Sequence, residues 1–194
     1  MSHSDDFDPE YDNGIENWPL DNLPVLPPLS PHPAVLSGCC VALSSRLLSN
    51  LSTVLPPAPS LVLSIGSGSG LLEGLLRADP YNIHILGVEV QPSVNRYLSV
   101  AHHRTVTGTY SLEPLASESE AWMFIYPRRV GLIQAYISMY EDSAVSKILW
   151  IGPAADWDDY KVCFGNRWNV KVQNADEIGG REWELVVVAS KKTV

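Results

Sequence analysis

The chain has 194 residues and a mass of 21.3 kDa, with 45% hydrophobic and 18% charged residues, which fits one globular domain with a sizeable core. No stretch approaches the roughly 18 unbroken apolar residues of a membrane span, and the composition is not that of a wholly disordered chain. A formal charge of −9, from 13 Lys and Arg against 22 Asp and Glu, speaks against broad phosphate binding without by itself excluding a nucleic-acid substrate.

That charge is unevenly placed. Residues 1–22 hold Asp5, Asp6, Asp8, Glu10, Asp12, Glu16 and Asp21 with no Lys or Arg, so they carry −7, while the other 172 residues have 15 acids against 13 bases, or −2. Residues 1–31 are acidic and then proline-rich, and Pro19, Pro24, Pro27, Pro28 and Pro31 block regular structure. An irregular segment is expected there, with Trp18, Leu20, Leu23, Val25 and Leu26 docking its later part onto a domain that fills residues 32–194. The acidic run is also a candidate segment for binding a protein partner.

Apolar residues at helical spacing predict a helix from Ala34 to Val54, ended by Pro56, Pro57 and Pro59. Leu61–Ile65 reads as a short buried strand that stops at Gly66-Ser67-Gly68-Ser69-Gly70. Helix is expected over Leu71–Ala78, strand over Ile83–Val90, helix over Ser93–Ala101 and strand around Arg104–Gly108. Then follow a strand at Ala121–Tyr126, a helix at Val130–Tyr140 and a strand at Lys147–Ile151. The last two apolar pieces, near Trp168–Val172 and Trp183–Ala189, face each other across Asn174–Arg181 as a closing antiparallel pair. Strands that alternate with helices predict a mostly parallel sheet covered on both faces.

Three cysteines, Cys39, Cys40 and Cys163, make no disulfide framework, and no Cys or His spacing points to a metal site. The first residues lack the basic and apolar stretches of a signal peptide, so a reducing intracellular compartment is expected, cytoplasm or nucleus.

The chemical signal is strongest at the glycine loop. A buried strand delivers the chain to Gly66, Gly68 and Gly70, and a helix leaves from them. Glycines permit positive φ and remove the Cβ atoms that would keep a ligand from the backbone, and the helix start adds unpaired N–H groups. A dinucleotide fingerprint needs G-x-G-x-x-G, but the order here is G-x-G-x-G, with Leu71 where that pattern continues. About twenty residues on, Glu89 ends a strand, where a carboxylate can accept both hydroxyls of a ribose.

On this loop, this acid and the order of elements, residues 34–190 resemble the class I S-adenosylmethionine-dependent methyltransferases. The resemblance implies a three-layer, Rossmann-like α/β sandwich with a mostly parallel seven-stranded sheet and an antiparallel terminal strand. It also implies S-adenosyl-L-methionine as cofactor, held by Ser64, Gly66, Ser67, Gly68, Gly70, Glu89, Val90, Gly108 and Thr109.

Three departures from the family's pattern stand out. Ser64 lies where an acid near the cofactor's methionine end is common, and Thr107-Gly108-Thr109 has no acid for the adenine. The Asn/Asp-Pro-Pro-aromatic motif of amide and nucleic-acid methyltransferases is replaced by Tyr126-Pro127-Arg128-Arg129, which, with the charge, points away from nucleic acid. Arg128 and Arg129 are candidates to bind an anionic substrate group through a forked contact. If the acceptor needs a base, Tyr126, His103 and Asp156 are the candidates, with His102 beside them. Two functions follow: methyl transfer to a small molecule or protein side chain, or a methyltransferase-like subunit that has lost catalysis and binds or regulates a partner.

Overall fold

The computed structural model describes residues 23–192. The expected contacts of Trp18 and Leu20, and the acidic run itself, lie outside the described residues. Residues 23–33 form no helix or strand. Leu26, beside Gly74, and Leu29 pack on the core, whereas Leu23 is 48% and Val25 93% exposed, so the lead-in is fixed by two of its apolar side chains and not by the others.

Seven strands form one sheet: β1 (Val62–Ile65), β2 (Ile85–Glu89), β3 (His103–Thr105), β4 (Ala121–Ile125), β5 (Lys147–Pro153), β6 (Trp168–Gln173) and β7 (Glu184–Lys191). Their spatial order is β3-β2-β1-β4-β5-β7-β6. β1 pairs in parallel with β2 and with β4, and β7, last in the chain, inserts antiparallel between β5 and β6. The connections leave β1 in opposite directions, so a crevice opens at the carboxyl ends of β1 and β4, where such sheets bind ligands.

Alternation along the strands builds two cores. Val62, Ile85, Met123, Leu149 and Val186 face α1 (Ser45–Val54) and α2 (Leu71–Arg77), and Ile178 of the short α5 (Ala175–Ile178) joins them. Leu63, Leu86, Trp122, Phe124, Ile148 and Val187 face α3 (Val130–Tyr140) and α4 (Trp157–Tyr160). The three-layer α/β sandwich expected from the sequence is the fold. Trp122, wholly buried, keeps its indole N–H satisfied by Ser119 Oγ at 2.9 Å.

Two expected helices are corrected. The first covers only Ser45–Val54: Ser44 caps it, its Oγ accepting from Leu47 N at 3.0 Å, and residues 34–44 form a separate loop. Ala34 and Leu43 close that loop through paired backbone hydrogen bonds of 2.9 and 2.8 Å, and Gly38 turns it at φ +82°. The helix expected at Ser93–Ala101 is absent; two single 3₁₀ turns, Pro92–Val94 and Val100–His102, stand there. Asn95 takes both backbone groups of Leu98 with its side chain, and Arg96 and Tyr97 donate their N–H groups to Ser69 O. These bonds replace the helical ladder.

Candidate functional site

The glycine loop sits at the carboxyl end of β1. Gly66, Gly68 and Gly70 all have positive φ, at +82°, +56° and +75°. The loop is pinned to β2, since Gly66 N and Ser67 N both donate to Val88 O at 2.9 and 3.1 Å. At Gly70 a Cβ would meet Leu98 at 2.8 Å, so packing as well as conformation demands glycine. Gly66 differs: nothing lies within 4 Å of where its Cβ would be, so open space stands over the loop's first turn. The Oγ of Ser67 is buried without a hydrogen-bond partner among the described residues.

Glu89 reaches across to this loop. Its Oε1 accepts from Gly68 N at 2.8 Å and its Oε2 from Val90 N at 3.0 Å. Each carboxylate oxygen has two lone-pair directions, so both can still take a hydroxyl hydrogen. Beyond β3, whose Thr105 pairs with Glu89, Val106 N donates to Glu89 O at 2.9 Å. The turn that carries Gly108 and Thr109 follows, closed by Ser111 N on Gly108 O at 2.9 Å. The structure thus gathers Gly66, Ser67, Gly68, Gly70, Glu89, Val90, Gly108 and Thr109 along one edge.

Ser64 is wholly buried, and its Oγ donates to Glu73 Oε1 at 2.6 Å. Glu73, in the first turn of α2, is only 1% exposed and has no cationic partner among the described residues. Burial pushes its carboxyl up to about 7, and the charge of Glu89 adds to the rise while Ser64 opposes it. The 34–44 loop lies over this region, with Ser69 Oγ donating to Gly38 O at 2.7 Å. Burial and then the charge of Glu73 push the Cys39 thiol up to about 12, which makes it a poor nucleophile.

The second half of the site is at the ends of β4, β5 and β7. Tyr126 has φ +47°, unusual for a residue with a side chain. Its hydroxyl donates to Glu184 Oε1 at 2.8 Å, and burial, then this carboxylate, raise the phenol above its ordinary range. The phenol is therefore a hydrogen-bond donor and a poor proton acceptor. Glu184, 1% exposed, also accepts from Ala42 N at 3.0 Å and Arg181 N at 2.8 Å. It ties the 34–44 loop, Tyr126 and the turn before β7 together, and Trp183 on that turn is half-exposed with Arg181 stacked 5.1 Å from its ring centre.

A cavity of about 450 Å³ adjoins Tyr126, lined by Arg128, Trp150, Asp156 and Tyr160 among others. Tyr126, Arg128 and Asp156 are thus brought together. Arg129 is held elsewhere, hydrogen-bonded to Tyr110 and 4.8 Å above its ring centre. His103 is on β3, with β2 and β1 between it and β4, so the sheet separates it from the cavity. Burial, assisted by Arg104 and opposed by Glu89, lowers its tendency to be charged. His102 turns to Arg77, 2.7 Å away, on the outside of the crevice. Glu73, Glu184 and Trp183 were not among the sequence candidates. Among the described residues no group of three His, Cys, Asp or Glu side chains is arranged to hold a metal, and no helix is long and apolar enough to cross a membrane.

No protein-family model and no curated protein matches the sequence. Solved structures do match in fold. A precorrin-6y C5,15-methyltransferase from Geobacter metallireducens aligns at TM-score 0.59 and 13% identity, over 82% of this chain and 94% of that one. A predicted O-methyltransferase from Agrobacterium tumefaciens aligns at 0.55 and 15%, over 78% and 82%. A small RNA methyltransferase aligns at 0.55 and 9%, over 77% of this chain and 25% of that one. The chain has the class I methyltransferase fold. Neighbours named for acceptors as unlike as a precorrin and an RNA leave the acceptor to the site itself.

Proposed function

We propose that the chain binds S-adenosyl-L-methionine at the glycine loop and transfers its methyl group to a small molecule or a protein side chain. The carrying observation is the conjunction of a positive-φ glycine loop, open over Gly66, with Glu89 bonded to that loop. The residues present fit the cofactor: Glu89 keeps capacity for two ribose hydroxyls, and Ser67 Oγ awaits a partner. Gly108, Thr109 and Val90 would hold the adenosyl end, and Ser64 would lie toward the methionine end.

When bound, the cofactor supplies a methyl group on a positively charged sulfur. The chain's own contribution is mainly positioning. Arg128 in the cavity takes an anionic group of the acceptor, without Arg129, which is held on Tyr110, and Tyr126 donates no proton it does not already share with Glu184. Where the acceptor carries a proton, Asp156 is placed to take it, rather than Tyr126 or the distant His103. The reading includes a reducing intracellular setting, cytoplasm or nucleus, in keeping with three free thiols.

A second reading is a methyltransferase-like subunit without catalysis that meets a protein partner through its acidic N-terminal segment. The commitment of Tyr126 to Glu184 favours it. Calorimetry tests the cofactor claim: S-adenosylmethionine binds the wild type, and Glu89→Ala weakens it by about 150-fold or more, the loss of two charge-assisted hydrogen bonds. No heat with the wild type overturns it. Turnover of radiolabelled methyl groups by the isolated chain on an acceptor panel eliminates the subunit reading. Removal of residues 1–22 is expected to leave cofactor binding intact.

A further inference from the structure

Three carboxylates surround the place where the 34–44 loop crosses the carboxyl end of β1, and none has a cation within ion-pair distance among the described residues. Glu89 and Glu184 are satisfied by backbone amides and, for Glu184, by Tyr126. Glu73 is not. Its Oε1 accepts from Ser64, but its Oε2 is buried with no hydrogen-bond partner among the described residues. A carboxylate 1% exposed and half unsatisfied is costly to keep; its own amide in the first turn of α2 eases that cost, but Leu71, Leu72, Leu75 and Leu76 make the helix's core contacts without it. Its position explains the expense. Ser64 occupies the strand site two residues before Gly66, and Glu73 delivers a carboxylate to that same strand site from the helix, nine residues later in the chain.

We propose that Glu73, held by Ser64, is the carboxylate that meets the positive charge of the bound cofactor, and that it ionises as that charge arrives. The inference rests on the cofactor reading above. S-adenosylmethionine has a sulfonium and, at neutral pH, an ammonium group, and the region offers them no competing side-chain cation. The groups facing Glu73 are Ser64 of β1, Glu89 at the end of β2 and Cys39 of the 34–44 loop. Cys39, pushed up to about 12, stays neutral, and the other charges around it among the described residues are those of Glu89 and, on the far side of Cys39, Glu184. Free Glu73, raised to about 7, is protonated below neutrality and loses its proton on binding.

The experiment is calorimetry with S-adenosylmethionine on the wild type and on Glu73→Gln between pH 5.5 and 8. The cofactor's own titration is common to both proteins and cancels in the comparison. Wild-type affinity is expected to rise about tenfold per pH unit up to about 7 and then level off, whereas Glu73→Gln stays flat relative to it. If Glu73→Gln does not fold, the wild type alone decides: at pH 6, runs in two buffers of different ionisation heat should give release of about one proton per cofactor bound. Equal slopes in the two proteins, or binding without proton release, overturn the proposal and leave the cofactor reading standing. No binding to the wild type removes both.

Discussion

The two halves of the crevice are built in different ways. The half at β1, β2 and β3 is made of backbone: three glycines, the amides of Gly68 and Val90, and one carboxylate that organises them. The half at β4, β5 and β7 is made of side chains drawn from distant parts of the chain, with Glu184 joining Tyr126 across 58 residues and Ala42 across 142. A backbone cradle fixes one ligand chemistry tightly and is written in a short stretch of sequence. A side-chain pocket can vary its acceptor while the cradle stays unchanged, which is why fold neighbours with unlike acceptors share one sheet.

This contrast can be broken experimentally. The largest effect is expected at the join: Glu184→Ala strands the buried donor Ala42 N and the part-buried donors Tyr126 OH and Arg181 N, and should cost about 3–5 kcal/mol of stability in urea unfolding. Next comes the pH dependence set by Glu73. Its folded-state carboxyl lies above the usual carboxylate value, so the folded protein holds a proton that the unfolded chain has released. Stability should therefore fall as pH rises from about 4.5 to 7, by up to about 3 kcal/mol, and Glu73→Gln should flatten that fall. In the cradle, Gly66→Ala should cost only about 1–2 kcal/mol of stability, from backbone strain, because no neighbour meets the methyl. Its affinity for S-adenosylmethionine should drop more than tenfold, because the methyl enters the space left open for the ligand. Gly70→Ala should reverse the balance, with thermal stability hit harder through Leu98. Smallest is Tyr126→Phe, about 1 kcal/mol in stability with cofactor affinity unchanged, since the hydroxyl serves the join and not the cradle.

The same division governs what could be read beforehand. The loop, the strand that ends at Glu89 and the succession of strands along the chain were legible because each depends on local pattern: an apolar run, a break at glycine, an acid at a strand end. The helix Val130–Tyr140 was legible to the residue, following Pro127 and an uninterrupted apolar spacing. The helix expected from Ala34 was not, because apolar residues continue through a segment that Gly38 turns and Ser44 caps, and periodicity outweighed those two signals. The helix expected at Ser93 failed for a tertiary reason, since Ser69 O takes the amides of Arg96 and Tyr97. Glu184 could not have been singled out: it precedes the apolar run Leu185–Ala189, and its partners are remote. Glu73 carries no signal in the sequence beyond an acid near a helix start, and its burial against Ser64 emerges only when α2 packs on β1.

The most direct measurement is a crystal structure of the protein soaked with S-adenosylmethionine or S-adenosylhomocysteine. The account predicts adenosyl density over Gly66, ribose hydroxyls on Glu89 and the methionine end beside Ser64 and Glu73. An empty glycine loop, or one filled by the 34–44 loop of the chain itself, would contradict it.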